Sequence, residues 1–222
     1  WEYYGGQRVK VEEDFINECY VQCPHNEATH KDIHGTPMKK RIGVKKQDIE
    51  MFKQSGLKVA ESDLLPEMKF LHQRYGKKEI KPDYKDYNVC FIDIEIASEG
   101  EFPKPEEAKY PINLISVKSS RTGEITTFGS DEYTGGSELI KNYYHVPDEE
   151  RMMEKFIKWF RKEKFDIVTG WNVLNFDIAY ILQRCINLSG DAELGKLLSP
   201  VNRVRQKRNN EWSISGVTVL DI

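Results

Sequence analysis

Asp93 and Glu95 stand two residues apart in the stretch NVCFIDIEI, residues 88–96, which is otherwise rich in β-forming side chains. On a strand, residues i and i+2 point to the same face, so the two carboxylates share one side of an apolar strand. Anions held that close repel, and partial burial sharpens the repulsion. Protonating one acid would relieve it. So would a divalent cation, and carboxylate oxygens suit Mg²⁺ or Mn²⁺. The bland alternative is a strand at a sheet edge with both acids solvated, and the pair alone does not choose between these readings.

A second acid follows a second apolar segment. Residues 170–177 read GWNVLNFD, directly after FDIVT at 165–169. Asp177 falls in the first turn of the helix expected next, where the helix dipole favours negative charge. It is either a first-turn acid of no further consequence or a group at the carboxyl end of a strand, where α/β sheets place their ligands. Asn172 either hydrogen-bonds a substrate sugar or fixes the loop. Phe176 reads as a substrate contact or as core packing. Phe102, before Pro103, reads by itself as a plain loop anchor.

These residues need a scaffold. Apolar stretches predict strands over 88–96, 112–119 and 125–128, with a turn at 122–123, and such short connections make antiparallel neighbours. Residues 99–111 hold three prolines and form a loop. A polar, glycine-containing loop runs to Pro147. Asp148 or a neighbour then caps a helix reaching about Lys164, with one broad apolar face. A fourth strand over 165–169, a helix over 176–185, and a hairpin of strands 212–214 and 217–220 about Ser215–Gly216 complete the pattern. Three antiparallel strands followed by helix–strand–helix is the element order of a ribonuclease-H-like α/β domain. Upstream, residues 1–86 are mixed and lysine-rich, with an amphipathic helix over 45–55; the polar segment 76–87 marks the boundary.

Composition narrows the partners. The 222 residues are 39% hydrophobic and 31% charged, so a core and a solvated surface are both available. A net charge of −3 gives no global attraction to nucleic acid, leaving local basic runs and metal ions for that task; RVRQKR at 203–208 is the densest run. Four cysteines are sparse and fit a reducing compartment. Cys19, Cys23, His30 and His34 come near a zinc pattern, but the two pairs stand too close together in sequence to favour it. No stretch is long and apolar enough to span a membrane, and no nucleophile triad stands out.

FIDIEI at 91–96 resembles the first exonuclease motif, Asp-x-Glu, of family B DNA polymerases. NVLNFD at 172–177 resembles their second motif. EFPKPEEAKYPI at 101–112, TGWNVLNFDIAYI at 169–181, LSP at 198–200 and VLD at 219–221 are similar to the corresponding text of T-even-type bacteriophage polymerases. CPHNEATHKDIHGTPMKK at 23–40 resembles their amino-terminal domain. The resemblance covers most of the chain, and both motifs in order are far more specific than either alone.

The resemblance implies a ribonuclease-H-like 3′→5′ proofreading exonuclease domain over 87–222, a mixed sheet with flanking helices, preceded by a small α+β amino-terminal domain over 1–86. It implies that Asp93, Glu95 and Asp177 are catalytic and hold two Mg²⁺ or Mn²⁺ ions for hydrolysis of the 3′-terminal phosphodiester of DNA. It implies that Phe102, Asn172 and Phe176 bind the single-stranded 3′ end of a primer. The expected partners are DNA, the rest of the polymerase chain and a sliding clamp engaged through other regions, with no membrane; the expected location is intracellular, the host cytoplasm if phage-encoded. The family's third motif, Tyr-x3-Asp, is expected beyond Ile222. Asp221 does not supply it, because Val217 rather than Tyr stands four residues before. The polymerase palm motifs are absent, so the chain reads as a fragment, incomplete at its carboxyl end and of low or no activity by itself. The competing readings are a stand-alone exonuclease and a non-catalytic nucleic-acid-binding or regulatory module with an inactive exonuclease-like site.

Overall fold

The computed structural model describes residues 2–4, 7–9, 11–79, 81, 83–98, 100–207 and 211–222. The chain divides into two units, Trp1–Lys81 and Pro82–Ile222.

The first unit opens with an antiparallel pair, β1 (Glu2–Tyr4) and β2 (Gln7–Val9). β3 (Glu18–Gln22), β4 (His30–Lys31), β5 (Pro37–Ile42) and β6 (Val59–Ala60) form an antiparallel sheet in the order β4-β5-β3-β6. Helix α1 (Lys46–Gln54) carries Ile49 into a small core with Cys19, Val21 and Val44. Helix α2 (Pro66–Tyr75) has proline in its first turn, where the missing N–H has no intrahelical partner in any case. Its buried Lys69 donates to the Asn17 side chain and the Glu18 carbonyl, which supplies the partners a buried ammonium requires.

The second unit is built on a six-stranded mixed sheet. β7 (Val89–Ile96), β8 (Ile112–Ser119) and β9 (Ile125–Gly129) form an antiparallel meander. β10 (Ile140–His145) then adds parallel to β9. This strand lies inside the stretch expected to be loop: its sequence, IKNYYH, is polar and only partly buried, so it carries little apolar signal. Helix α3 (Glu149–Glu163) begins at Asp148, whose side chain accepts from the Arg151 N–H at 2.9 Å. Asp148→Ala should therefore cost about 1 kcal/mol in a urea titration; an unchanged midpoint would deny the cap any weight.

β11 (Ile167–Gly170) lies parallel to β7, and helix α4 (Asp177–Ser189) follows. After the short helix α5 (Glu193–Lys196) come β12 (Val204–Gln206), β13 (Trp212–Ile214) and β14 (Thr218–Asp221). The expected hairpin of the last two strands does not form. β13 pairs antiparallel with β12, and β14 pairs parallel with β11. Gly216, at φ +85°, turns the chain, but the partners of both flanking strands lie elsewhere, and a turn signal alone cannot name them. The sheet order is β10-β9-β8-β7-β11-β14.

Alternation explains how β7 sits. Cys90, Ile92 and Ile94 are buried, while Phe91, Asp93 and Glu95 face out. Helices α3 and α4 pack together, α3 also against β8 and β9 and α4 against β7. They enclose a core that includes Phe128, Met152, Phe156, Phe160 and Tyr180.

Candidate active site

β7 is central in the sheet, not an edge strand, yet β11 covers only its first part. Their pairing runs over Val89–Phe91 and Ile167–Thr169. Past that point the β11 side of β7 has no strand to receive its N–H groups, and a buried N–H without an acceptor is costly. Asp177 takes the position instead, its Oδ1 accepting from the Ile94 N–H at 3.1 Å. Ile94 lies between Asp93 and Glu95, so this one bond brings the third acid to the other two. The burial of the three differs. Asp177 is only 4% exposed, whereas Asp93 and Glu95 are solvent-exposed, so partial burial of the pair is not the source of strain.

The route from β11 to Asp177 is short and tightly held. Gly170 passes so close to β7 that an added Cβ would meet the Ile92 carbonyl oxygen at 2.5 Å. Residues 171–176 then turn. The Phe176 and Asn175 N–H groups donate to the Asn172 carbonyl at 2.9 and 3.2 Å. Asn172 adopts φ +52°, a conformation that asparagine tolerates better than most residues. Its Oδ1 accepts from the Asn175 side-chain amide at 3.2 Å, so its side chain helps to fix the loop. The Leu174 N–H donates to Asp221 Oδ1 at 2.8 Å. Asp221 in turn pairs with Gly170 across the β11–β14 ladder.

The electrostatics follow. Burial pushes the Asp177 carboxyl up from 3.8 to about 6, and the nearby charges of Asp93 and Asp221 add to the rise; hydrogen bonds from its own N–H and that of Ile94 oppose it. Asp221 therefore belongs to the acidic surroundings of the site, although its sequence context, lacking a tyrosine four residues earlier, excludes it from the third motif. The available signal was its position at the end of a strand-like run. Asp221→Asn keeps an acceptor for Leu174 and removes one charge. In metal-free buffer it should lower the Asp177 titration midpoint seen by carboxyl NMR; an unmoved midpoint would remove Asp221 from the field.

Among the described residues, no three His, Cys, Asp or Glu side chains stand close enough, in their present positions, to hold one metal ion. The donor chemistry nevertheless suits a hard divalent cation. All three acids carry oxygen ligands, and the most buried of them is held against neighbouring negative charge that a cation would relieve.

An aromatic series borders the acids. Phe102, 80% exposed, lies with its ring centroid 5.8 Å from that of Phe176, which lies 5.9 Å from Tyr180. Phe176 is half-buried against the core. Trp171, 83% exposed at the start of the turn, is a large free aromatic that the motif-based reading did not weigh. In the basic run, Arg203, Arg205 and Lys207 are exposed, and Lys207 lies 3.7 Å from Glu211; Arg208 lies outside the described residues.

With this geometry in view, residues 37–222 match the family model for the exonuclease domain of DNA polymerase family B. The chain belongs to that family. Over 98% of its length it is 27% identical to a DNA-directed DNA polymerase of Escherichia phage RB69, and over 68% it is 28% identical to that of Enterobacteria phage T4. It spans only 28% and 20% of the length of those two polymerases. The family B DNA polymerase of the archaeon Pyrobaculum calidifontis has a similar fold, with a TM-score of 0.56 and 16% identity over 91% of this chain and 31% of that one. The fold is thus the mixed α/β, ribonuclease-H-like architecture of family B exonuclease domains. Among the described residues no helix is long and apolar enough to cross a membrane.

Proposed function

We propose that the chain carries the 3′→5′ proofreading exonuclease of a DNA-directed DNA polymerase and removes nucleotides from the 3′ end of a primer strand. Residues 87–222 form the exonuclease domain in this reading, and residues 1–86 an amino-terminal domain. The observation that carries it is the bond from Ile94 to Asp177, which gathers a buried acid to the Asp93/Glu95 pair where β7 outruns β11. Asp93, Glu95 and Asp177 would hold two Mg²⁺ or Mn²⁺ ions, which when bound supply an activated water and stabilise the leaving 3′-oxygen.

The protein groups have separate tasks. Phe102 stacks on the terminal base, an interaction worth about 1–3 kcal/mol per base and indifferent to sequence, as suits removal of any mismatched end. Phe176 packs a tilted ring against Phe102. Asn172 fixes the turn through Asn175 and keeps the frayed strand beside the acids. A mismatch is selected because unpairing it costs less. DNA, the remainder of a polymerase chain and a sliding clamp engaged through other regions are the partners in this reading, and the setting is intracellular, the host cytoplasm if the chain is phage-encoded.

The test pairs Mn²⁺ titration with degradation of 3′-labelled single-stranded DNA. The expected result is Mn²⁺ binding by the chain that is lost in Asp93→Ala, together with strand shortening by the full-length parent polymerase and not by its Asp93→Ala form. Equal rates for the two proteins would overturn the proposal.

A further inference from the structure

The loop that carries Phe102 is tied within itself where the Tyr110 hydroxyl donates to Glu101 Oε2 at 3.0 Å, and it is anchored to the rest of the domain mainly along its returning segment. Its base closes where the Ala97 N–H donates to the Pro111 carbonyl at 3.0 Å, giving a compact Ω-like excursion between β7 and β8. Within it, Phe102 is largely exposed and meets the Phe176 ring. The returning segment, residues 107–110, is bound quite differently.

Tyr180, Arg184 and Asn187 lie at i, i+4 and i+7 on α4 and so share one helix face. Asn187 donates to the carbonyls of Glu107 and Ala108 at 2.8 and 3.1 Å. Arg184 Nη1 donates to the carbonyls of Ala108 and Lys109 at 3.0 and 3.2 Å. The Tyr180 hydroxyl donates to the Tyr110 carbonyl at 2.8 Å and accepts from the Tyr110 N–H at 3.1 Å. Four consecutive loop carbonyls, from Glu107 to Tyr110, thus end on one face of one helix.

Ala108, fully buried and at φ +39°, is bent into a strained conformation so that its carbonyl receives two of these donors. Arg184 is itself fixed by Glu149 at the start of α3, through Nε–Oε1 at 2.9 Å and Nη2–Oε2 at 2.7 Å. Glu149 Oε1 also accepts from the Ile112 N–H, at 2.7 Å, where β8 begins. A planar guanidinium bound on both edges has little freedom left, so the loop end inherits the rigidity of two helices and a strand.

Helix α4 begins at Asp177. The element that presents the buried acid is therefore the element that grips the loop presenting Phe102. We propose that the Tyr180/Arg184/Asn187 face of α4 is a positioning device that sets where Phe102 stands relative to the acids, and thereby the affinity for an unpaired 3′-terminal base of DNA. The inference rests on the exonuclease reading and names residues outside its motifs.

Two variants weaken the grip without threatening the fold. Tyr180→Phe keeps the buried ring and loses both hydrogen bonds. Asn187→Ala removes an exposed amide and raises helix propensity. Their binding to a 5′-fluorescein-labelled oligothymidylate, followed by anisotropy in Ca²⁺, is compared with wild type and with Phe102→Ala. Trypsin cleavage after Lys109, which precedes Tyr110 rather than a proline, reports independently on loop freedom.

Phe102→Ala should weaken binding by about fivefold or more. Tyr180→Phe and Asn187→Ala should each weaken it by roughly threefold or more and speed cleavage. Either variant combined with Phe102→Ala should bind no worse than Phe102→Ala alone, because the clamp acts through that ring. Faster cleavage with unchanged binding would overturn the proposal, as would effects that simply add to that of Phe102→Ala. Absence of binding by the wild-type chain would overturn the exonuclease reading, and the proposal with it.

Discussion

Asp177→Asn should make the metal-free protein more stable at pH 7 while weakening the Mn²⁺ binding that the three acids support. The carboxyl of Asp177 is raised from 3.8 to about 6, first by burial and then by Asp93 and Asp221. A raised carboxyl binds a proton in the folded state that the unfolded chain has already released. Its stabilising contribution is complete below pH 3.8 and is lost as pH climbs through about 6. At pH 7 the ionised group costs the fold roughly 3 kcal/mol. Asparagine keeps an oxygen for the Ile94 N–H and has no charge to desolvate, so most of that cost should be recovered.

The comparison to make is urea unfolding of both proteins in a chelator from pH 4 to pH 7. The variant's advantage should be near zero at pH 4 and grow to about 1–3 kcal/mol at pH 7. Added Mn²⁺ should then favour the wild-type chain, since a ligand that binds only the folded state stabilises it by mass action. A constant difference across the pH range would mean that Asp177 is not held in an unfavourable ionised state. Stability given up at one acid in exchange for a cation site is the expected trade at a functional centre.

The features legible in the sequence are those encoded locally. The β-forming side chains of residues 88–96 gave the strand, and the period-two direction of side chains gave the shared face of Asp93 and Glu95. Asp148 marked the start of α3 because an N-cap acts within one turn. What escaped is non-local. The Asp177–Ile94 bond joins residues 83 positions apart, and no periodicity reports it. β14 looked like half of a hairpin because Ser215–Gly216 is a turn, yet its partner, β11, lies some fifty residues upstream in the chain. The exclusion of Asp221 from the third motif said nothing about the Leu174 N–H that Asp221 receives. IKNYYH at 140–145 was hidden because an edge strand with a half-buried face carries little apolar pattern.

Gly170→Ala should be among the most damaging single-methyl changes available to this chain. The new Cβ would lie 2.5 Å from the Ile92 carbonyl oxygen, with the Val173 side chain at 3.5 Å on another side. A backbone carbonyl in a central strand cannot swing aside as a side chain can, so β11 and β7 must separate, at a cost of about 2–4 kcal/mol. Alanine also restricts the unfolded chain, which favours folding by about 0.4–1 kcal/mol; the steric term is the larger of the two. Separation would loosen the Thr169–Phe91 pairing and draw Asp177 away from Ile94, and a shift of about 1 Å at a reacting centre can cost a hundredfold in rate. Gly136→Ala is the matched control, since nothing lies within 4 Å of a Cβ built there. Urea midpoints should fall sharply for Gly170→Ala and hold or rise slightly for Gly136→Ala. Equal midpoints would show that the close approach of β11 to β7 can relax freely, and that Asp177 does not depend on it for its position.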